Sequence, residues 1–122
     1  SMASVAASGG YYVSTGADWI IANRTTITGS IGIFGGKFAI EEGLARIGIN
    51  AESIKVGGSF TGAFSTTERL TDEQRVMVRS WLERGYNRFI GLVAEGRNMS
   101  LEQVDAVARG RVWSGEDALE QG

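Results

Sequence analysis

Small and apolar residues fill positions 2–7 and predict the end of a buried strand. Gly9 to Thr15 reads as a short helix, with Gly16 as its stop. The compact apolar run Trp19-Ile20-Ile21-Ala22 predicts another buried strand. Ile27 to Phe34, rich in β-branched residues and glycine, predicts a further strand closed by the turn Gly35-Gly36. Phe38 to Ile47 follows a helical period and meets its stop at Gly48. Ser53-Ile54-Lys55-Val56 reads as a short strand. Residues 57–67, dominated by Gly, Ser, Thr and Phe, read as a mobile surface loop.

The second half is more helical. Thr71-Asp72-Glu73-Gln74 has the form of a capping box with acidic residues in the first turn. Met77, Trp81, Tyr86, Phe89, Ile90 and Val93 then make one apolar stripe, while Arg75, Arg79, Glu83 and Arg88 fall on a solvated side. Gly85 and Gly91 weaken this helix and mark places of close packing. Ser100-Leu101-Glu102-Gln103 is a second capping box, opening a helix that stops at Gly110. Val112-Trp113 is extended, and Ser114 caps a last helix from Glu116 to Gln121. Strands alternating with helices predict an α/β layered domain.

The chain has 122 residues, 43% hydrophobic and 21% charged, which suits one globular domain and not a disordered chain. A formal charge of −2 gives no reason to expect nucleic acid as a partner. The absence of both Cys and His excludes the usual zinc sites, disulfides and thiol chemistry. No metal or cofactor is expected. No apolar run approaches the roughly 20 residues of a membrane span. The abrupt opening at Ser1 and the ending at Gly122 straight after a helical pattern predict that residues 1–122 are a partial domain of a longer protein.

Candidate chemistry centres on Ala6-Ala7-Ser8-Gly9-Gly10-Tyr11-Tyr12. A serine before two glycines fits a sharp turn into a helix, where its hydroxyl is exposed and backbone N–H groups point to the same space. Such a serine is either a helix N-cap or a nucleophile. Without histidine, no Ser-His-Asp triad exists within the chain, so a nucleophilic Ser8 needs another base, most naturally a desolvated lysine. Lys37 and Lys55 are the only lysines, and both read as solvent-facing. Asp18 reads as a turn or cap residue, and Trp19, Trp81, Phe89 and Trp113 as core. Phe60 and Phe64, in the glycine-rich loop, are candidates for a substrate groove or a subunit contact.

Several phrases occur together: Ala7-Ser8-Gly9-Gly10-Tyr11-Tyr12, Ala17-Asp18 with Ile21-Ala22-Asn23, and Thr28-Gly29-Ser30-Ile31-Gly32. Gly85-Tyr86 with Phe89, Val93 and Arg97 follow, then Gly110-Arg111-Val112-Trp113-Ser114-Gly115 with Ala118. Their order and content resemble the S49 serine peptidases, the signal peptide peptidase A or protease IV family. The resemblance implies a Clp-protease/crotonase-like fold built from ββα units, here incomplete. It implies a serine endopeptidase with a Ser-Lys dyad that hydrolyses remnant signal peptides and other hydrophobic peptides. The family works at the bacterial cytoplasmic membrane, with its catalytic domain on the outer or periplasmic side, and assembles into homo-oligomers.

By the same resemblance, Ser8 matches the nucleophile, Ser30 a serine that orients the lysine amine, and the Gly9 N–H one oxyanion donor. The lysine itself is missing. Aligning the family's short members on Ser53-Ile54-Lys55-Val56 sets Phe60 at the lysine position. Long tandem members carry the serine in their C-terminal half and the lysine in the N-terminal half. The chain therefore resembles a C-terminal half, expected to be inactive alone. Arg24 stands where the family often has proline. Two alternatives belong to other classes: a crotonase-like acyl-CoA enzyme and a non-catalytic oligomerisation module.

Overall fold

A computed structural model describes residues 1–122. They form two compact units, one of residues 1–33 with 83–122 and the other of residues 34–82. In chain order the elements are β1 (Val5–Ala7), α1 (Gly9–Ser14), β2 (Ile27–Gly29), α2 (Glu41–Arg46), α3 (Asp72–Arg97), α4 (Leu101–Val107), β3 (Val112–Ser114) and α5 (Gly115–Glu120). The molecule is mixed α/β, as the sequence predicts.

The first unit is built on a three-stranded sheet in the order β1-β2-β3. β1 and β2 run parallel, with Val5 opposite Ile27 and Ala7 opposite Gly29. Parallel neighbours need a crossover between them, and α1 lies in it. β3 pairs antiparallel to β2, with Thr28 opposite Trp113. Thr28 and Thr26 are buried, and their hydroxyls donate to the Ala6 and Ala3 carbonyls at 2.9 Å each. That satisfies them without loss of strand geometry.

The core of this unit joins Ile31, Phe89, Ile90 and Val93 to Val104 and Ala108 of the α4 region. Tyr12 meets Phe89 edge-on, with ring centroids 4.9 Å apart. The apolar stripe of α3 is thus buried over its C-terminal half. Where α3 passes the end of α1, Gly96 comes so close that a Cβ there would stand 2.0 Å from the Thr15 carbonyl oxygen.

Trp19–Ala22 does not form the expected strand. Only one backbone bond, Met2 N–H to the Ile21 carbonyl, ties it to the sheet. Trp19 is 85% exposed, which removes it from the expected core, and Trp81 is exposed as well. The strand expected over residues 27–34 ends at Gly29, because Gly29 and Ser30 take left-handed φ values of +71° and +48°. An extended ladder cannot continue through that turn.

The second unit holds α2, the N-terminal part of α3 and the segment between them. The capping box of α3 forms as predicted: Thr71 Oγ1 accepts from the Gln74 N–H at 3.2 Å, and Gln74 Oε1 accepts from the Thr71 N–H at 3.1 Å. Gln74 is buried and donates to the Ser59 carbonyl at 2.9 Å. Ser53–Val56 is not a strand. It has no ladder partner, and Ile54 is 95% exposed. Residues 57–67 are a succession of turns, closed by bonds such as Ala63 N–H to the Phe60 carbonyl at 3.0 Å.

Candidate active site

Ser8 stands between β1 and α1 with φ +50° and ψ −112°. Left-handed backbone at a residue with a Cβ is uncommon and costs on the order of 1–3 kcal/mol. Two backbone bonds hold it there. Its N–H donates to the Gly29 carbonyl at 2.9 Å, and its own carbonyl accepts from Tyr12 at 2.8 Å. The hydroxyl makes no capping bond to α1 and is exposed. The N-cap reading of Ser8 therefore fails: the residue occupies the cap position without performing the cap's bond.

Gly9 opens α1, where the first N–H groups have no intrahelical carbonyl to reach. A Cβ built on Gly9 would meet nothing within 4 Å, so the space beside Ser8 is clear. Ser30 follows Gly29 as Ser8 follows Ala7, and Ala7 and Gly29 are partners in register. The two serines thus leave the C-terminal ends of adjacent parallel strands, whose spacing is roughly 4.8 Å. Both carry the same left-handed φ, +50° and +48°. Ser30 is half-buried, and its N–H donates to the Arg111 carbonyl at 2.7 Å.

No lysine belongs to the unit that carries Ser8; Lys37 and Lys55 both lie in residues 34–82. Lys55 Nζ pairs with Glu68, and Ser53 Oγ donates to the same carboxylate. The Lys55 bond, then the Ser53 bond, hold the Glu68 carboxyl below the ordinary carboxylate range. Lys37 departs from the solvent-facing expectation, since its Nζ is buried without a hydrogen-bond partner. Phe60 and Phe64 lie on the turns of the same unit, and Phe64 is 74% exposed.

A cavity of about 470 Å³ in the first unit is lined by Met2, Tyr11, Trp19, Ile21, Arg97 and Leu119. Burial among these groups raises the Tyr11 phenol, and the Arg97 charge partly offsets this. Neither Ser8 nor Ser30 lines the cavity, and we assign it no part in the chemistry.

One cluster was not singled out from the sequence. Tyr86 Oη donates to Asp105 Oδ1 at 2.6 Å, and Arg109 Nε donates to Asp105 Oδ2 at 3.0 Å. The Arg109 bond, then the Tyr86 bond, lower the Asp105 carboxyl. Burial, then the Asp105 contact, raise the Tyr86 phenol. The spacing of Asp105 and Arg109, four residues apart near a helix end, was the available signal.

The model of peptidase family S49 matches residues 1–122, the whole chain. The chain belongs to peptidase family S49. Among its relatives, Protease 4 of Salmonella typhi is 44% identical over 122 residues, covering all of this chain and 19% of the relative. Protease 4 of Haemophilus influenzae is 42% identical over 123 residues, again all of this chain and 20% of the relative. The chloroplastic serine protease SPPA of Arabidopsis thaliana is 37% identical over 123 residues, all of this chain and 18% of the relative. The S49 chain thus spans about a fifth of the length of these relatives.

Proposed function

We propose that this S49 chain carries the nucleophile of a serine endopeptidase acting on hydrophobic peptides, remnant signal peptides among them. The observation that carries the reading is Ser8 itself. It is a strained, exposed serine whose hydroxyl has no structural task, beside an open helix start and one residue beyond the Ala7–Gly29 register pair, as Ser30 is on the neighbouring strand.

In the reaction, Ser8 Oγ attacks the peptide carbonyl carbon and passes its proton to a neutral lysine amine. The carbonyl oxygen becomes an oxyanion, held by the Gly9 N–H and a second backbone donor from outside this chain. Collapse expels the amine of the leaving peptide, which takes the proton back from the lysine. Water, deprotonated by the lysine amine, then attacks the acyl carbon, and the lysine returns that proton to Ser8 Oγ as the acyl–oxygen bond breaks and the acid is released. Ser30 orients the lysine amine. Phe60 and Phe64 are proposed contacts for apolar substrate side chains.

We assign the lysine to another segment of a longer tandem enzyme, with this chain as its C-terminal, serine-bearing half in a Clp-protease/crotonase-like fold of ββα units. Two observations support this: the Ser8 unit holds no lysine, and the two Protease 4 relatives and the Arabidopsis SPPA are about five times longer than this chain. Exposed Val5, Val13, Trp19 and Ile21 suit burial against the rest of that enzyme and against further copies. We place the enzyme at the cytoplasmic membrane, facing outward. No helix of this chain is long and apolar enough to cross a membrane, so an anchor would belong to another segment.

The test is hydrolysis of a hydrophobic reporter peptide by the intact enzyme. Ser8→Ala is expected to lower kcat by about 10⁴-fold or more with little change in thermal stability. The isolated chain is expected to be inactive. Unchanged hydrolysis by Ser8→Ala would overturn the assignment, and robust hydrolysis by the isolated chain would overturn the divided dyad.

A further inference from the structure

We infer that Asp105 is a positioning residue that fixes Ser30 through the turn at residues 109–111; this deepens the dyad reading above and rests on it.

The link from Asp105 to Ser30 runs through backbone. Ser30 and Ile31 are held by that turn on both sides: the Ser30 N–H donates to the Arg111 carbonyl at 2.7 Å, and the Ile31 carbonyl accepts from the Gly110 N–H at 2.9 Å. The approach is tight. A Cβ on Gly32 would stand 2.9 Å from the Gly110 nitrogen and 3.1 Å from its Cα, so any shift of the turn moves the 29–32 segment with it.

The turn is itself in an uncommon state. Arg109 and Gly110 are successive left-handed residues, with φ of +57° and +77°. Glycine adopts this freely, but arginine does not. Something must favour it at Arg109, and the side chain provides it. Arg109 Nε donates to Asp105 Oδ2 at 3.0 Å, while Tyr86 Oη, on α3, fixes the other carboxylate oxygen at 2.6 Å. Asp105 lies on α4, whose C-terminal carbonyls are taken by this same stretch. Arg111 donates to the Ala108 carbonyl at 3.1 Å, and Trp113 Nε1 donates to the Val107 carbonyl at 3.0 Å. The carboxylate therefore ties the long helix, α4 and the turn together, and the turn carries Ser30 in its left-handed geometry.

The proposal is tested in the intact enzyme by a double-mutant cycle on peptide hydrolysis, with thermal stability and pH profile followed in parallel. Asp105→Asn is expected to lower kcat about tenfold with KM little changed. In the Ser30→Ala background the same substitution is expected to cost nothing further, because the group it positions is gone. Arg109→Lys, which keeps a donor for the carboxylate, is expected to lose less than Arg109→Ala. Should Asp105→Asn fail to fold, Tyr86→Phe removes one bond from the same carboxylate and takes its place in the cycle. Equal losses in both backgrounds, or no loss in either, would overturn the positioning role and leave the dyad reading intact. A Ser30→Ala enzyme of full activity would overturn the positioning role of Asp105 together with the part of Ser30 in orienting the lysine.

Discussion

Ser8 shows most plainly how residue chemistry and backbone geometry diverge. Its φ of +50° is unfavourable for a side chain with a Cβ, and its hydroxyl gives back no capping bond. Glycine removes the steric term at that position. Ser8→Gly is therefore expected to raise the unfolding free energy by about 1 kcal/mol while abolishing hydrolysis, the usual opposition of stability and activity at a strained site. Chemical denaturation checks this, and a Ser8→Gly protein less stable than the parent would argue against strain. Asp105 makes a pH-dependent prediction. Its folded carboxyl is lowered, chiefly by Arg109 and then by Tyr86, so the stabilisation is present above the unfolded value of about 3.9 and lost as pH falls through the lower folded value. The stability difference between the parent and Asp105→Asn should be full near neutrality and vanish in acid; a difference that grows in acid would contradict it. At this scale the turn at Ser8 was legible, because a serine before two glycines marks it locally, whereas Ser30 reads as part of a strand and instead takes a left-handed φ just beyond the end of β2. The burial of Lys37 Nζ was not readable, since it depends on residues distant in sequence.

At the scale of elements, the caps were legible and the short strands were not. Thr71, Ser100 and Ser114 accept the bonds their spacing announces, because a capping box is closed by residues three apart. Trp19–Ala22 and Ser53–Val56 have strand composition, but a strand exists only with a ladder partner, and neither segment has one in this chain. Within α3, Gly91 reads from the sequence as a place of close packing, yet its surroundings are open and the close approach falls at Gly96. A Cβ on Gly91 would meet nothing within 4 Å, whereas one on Gly96 would stand 2.0 Å from a backbone oxygen. Gly91→Ala is thus expected to stabilise by about 0.5–1 kcal/mol through helix propensity. Gly96→Ala is expected to destabilise by about 2 kcal/mol or more, because the Thr15 backbone must move. Thermal unfolding distinguishes the pair, and shifts of the same sign would show that α3 does not approach α1 as described.

For the whole molecule, the α/β class was readable from the alternation of strand-like and helical segments, whereas the division into two units was not. Nothing in the composition separates residues 34–82, yet this unit holds both lysines and few buried apolar side chains. On the function proposed above, Ser8, without a lysine in its own unit, supplies the nucleophile of a longer peptidase. The most direct measurement is covalent labelling of the intact enzyme with a serine-directed phosphonate, followed by mass-spectrometric mapping of the adduct. The account predicts a single adduct on Ser8, formed in step with loss of hydrolysis and absent from Ser8→Ala. An adduct on a different serine, or inhibition that persists in Ser8→Ala, would contradict it.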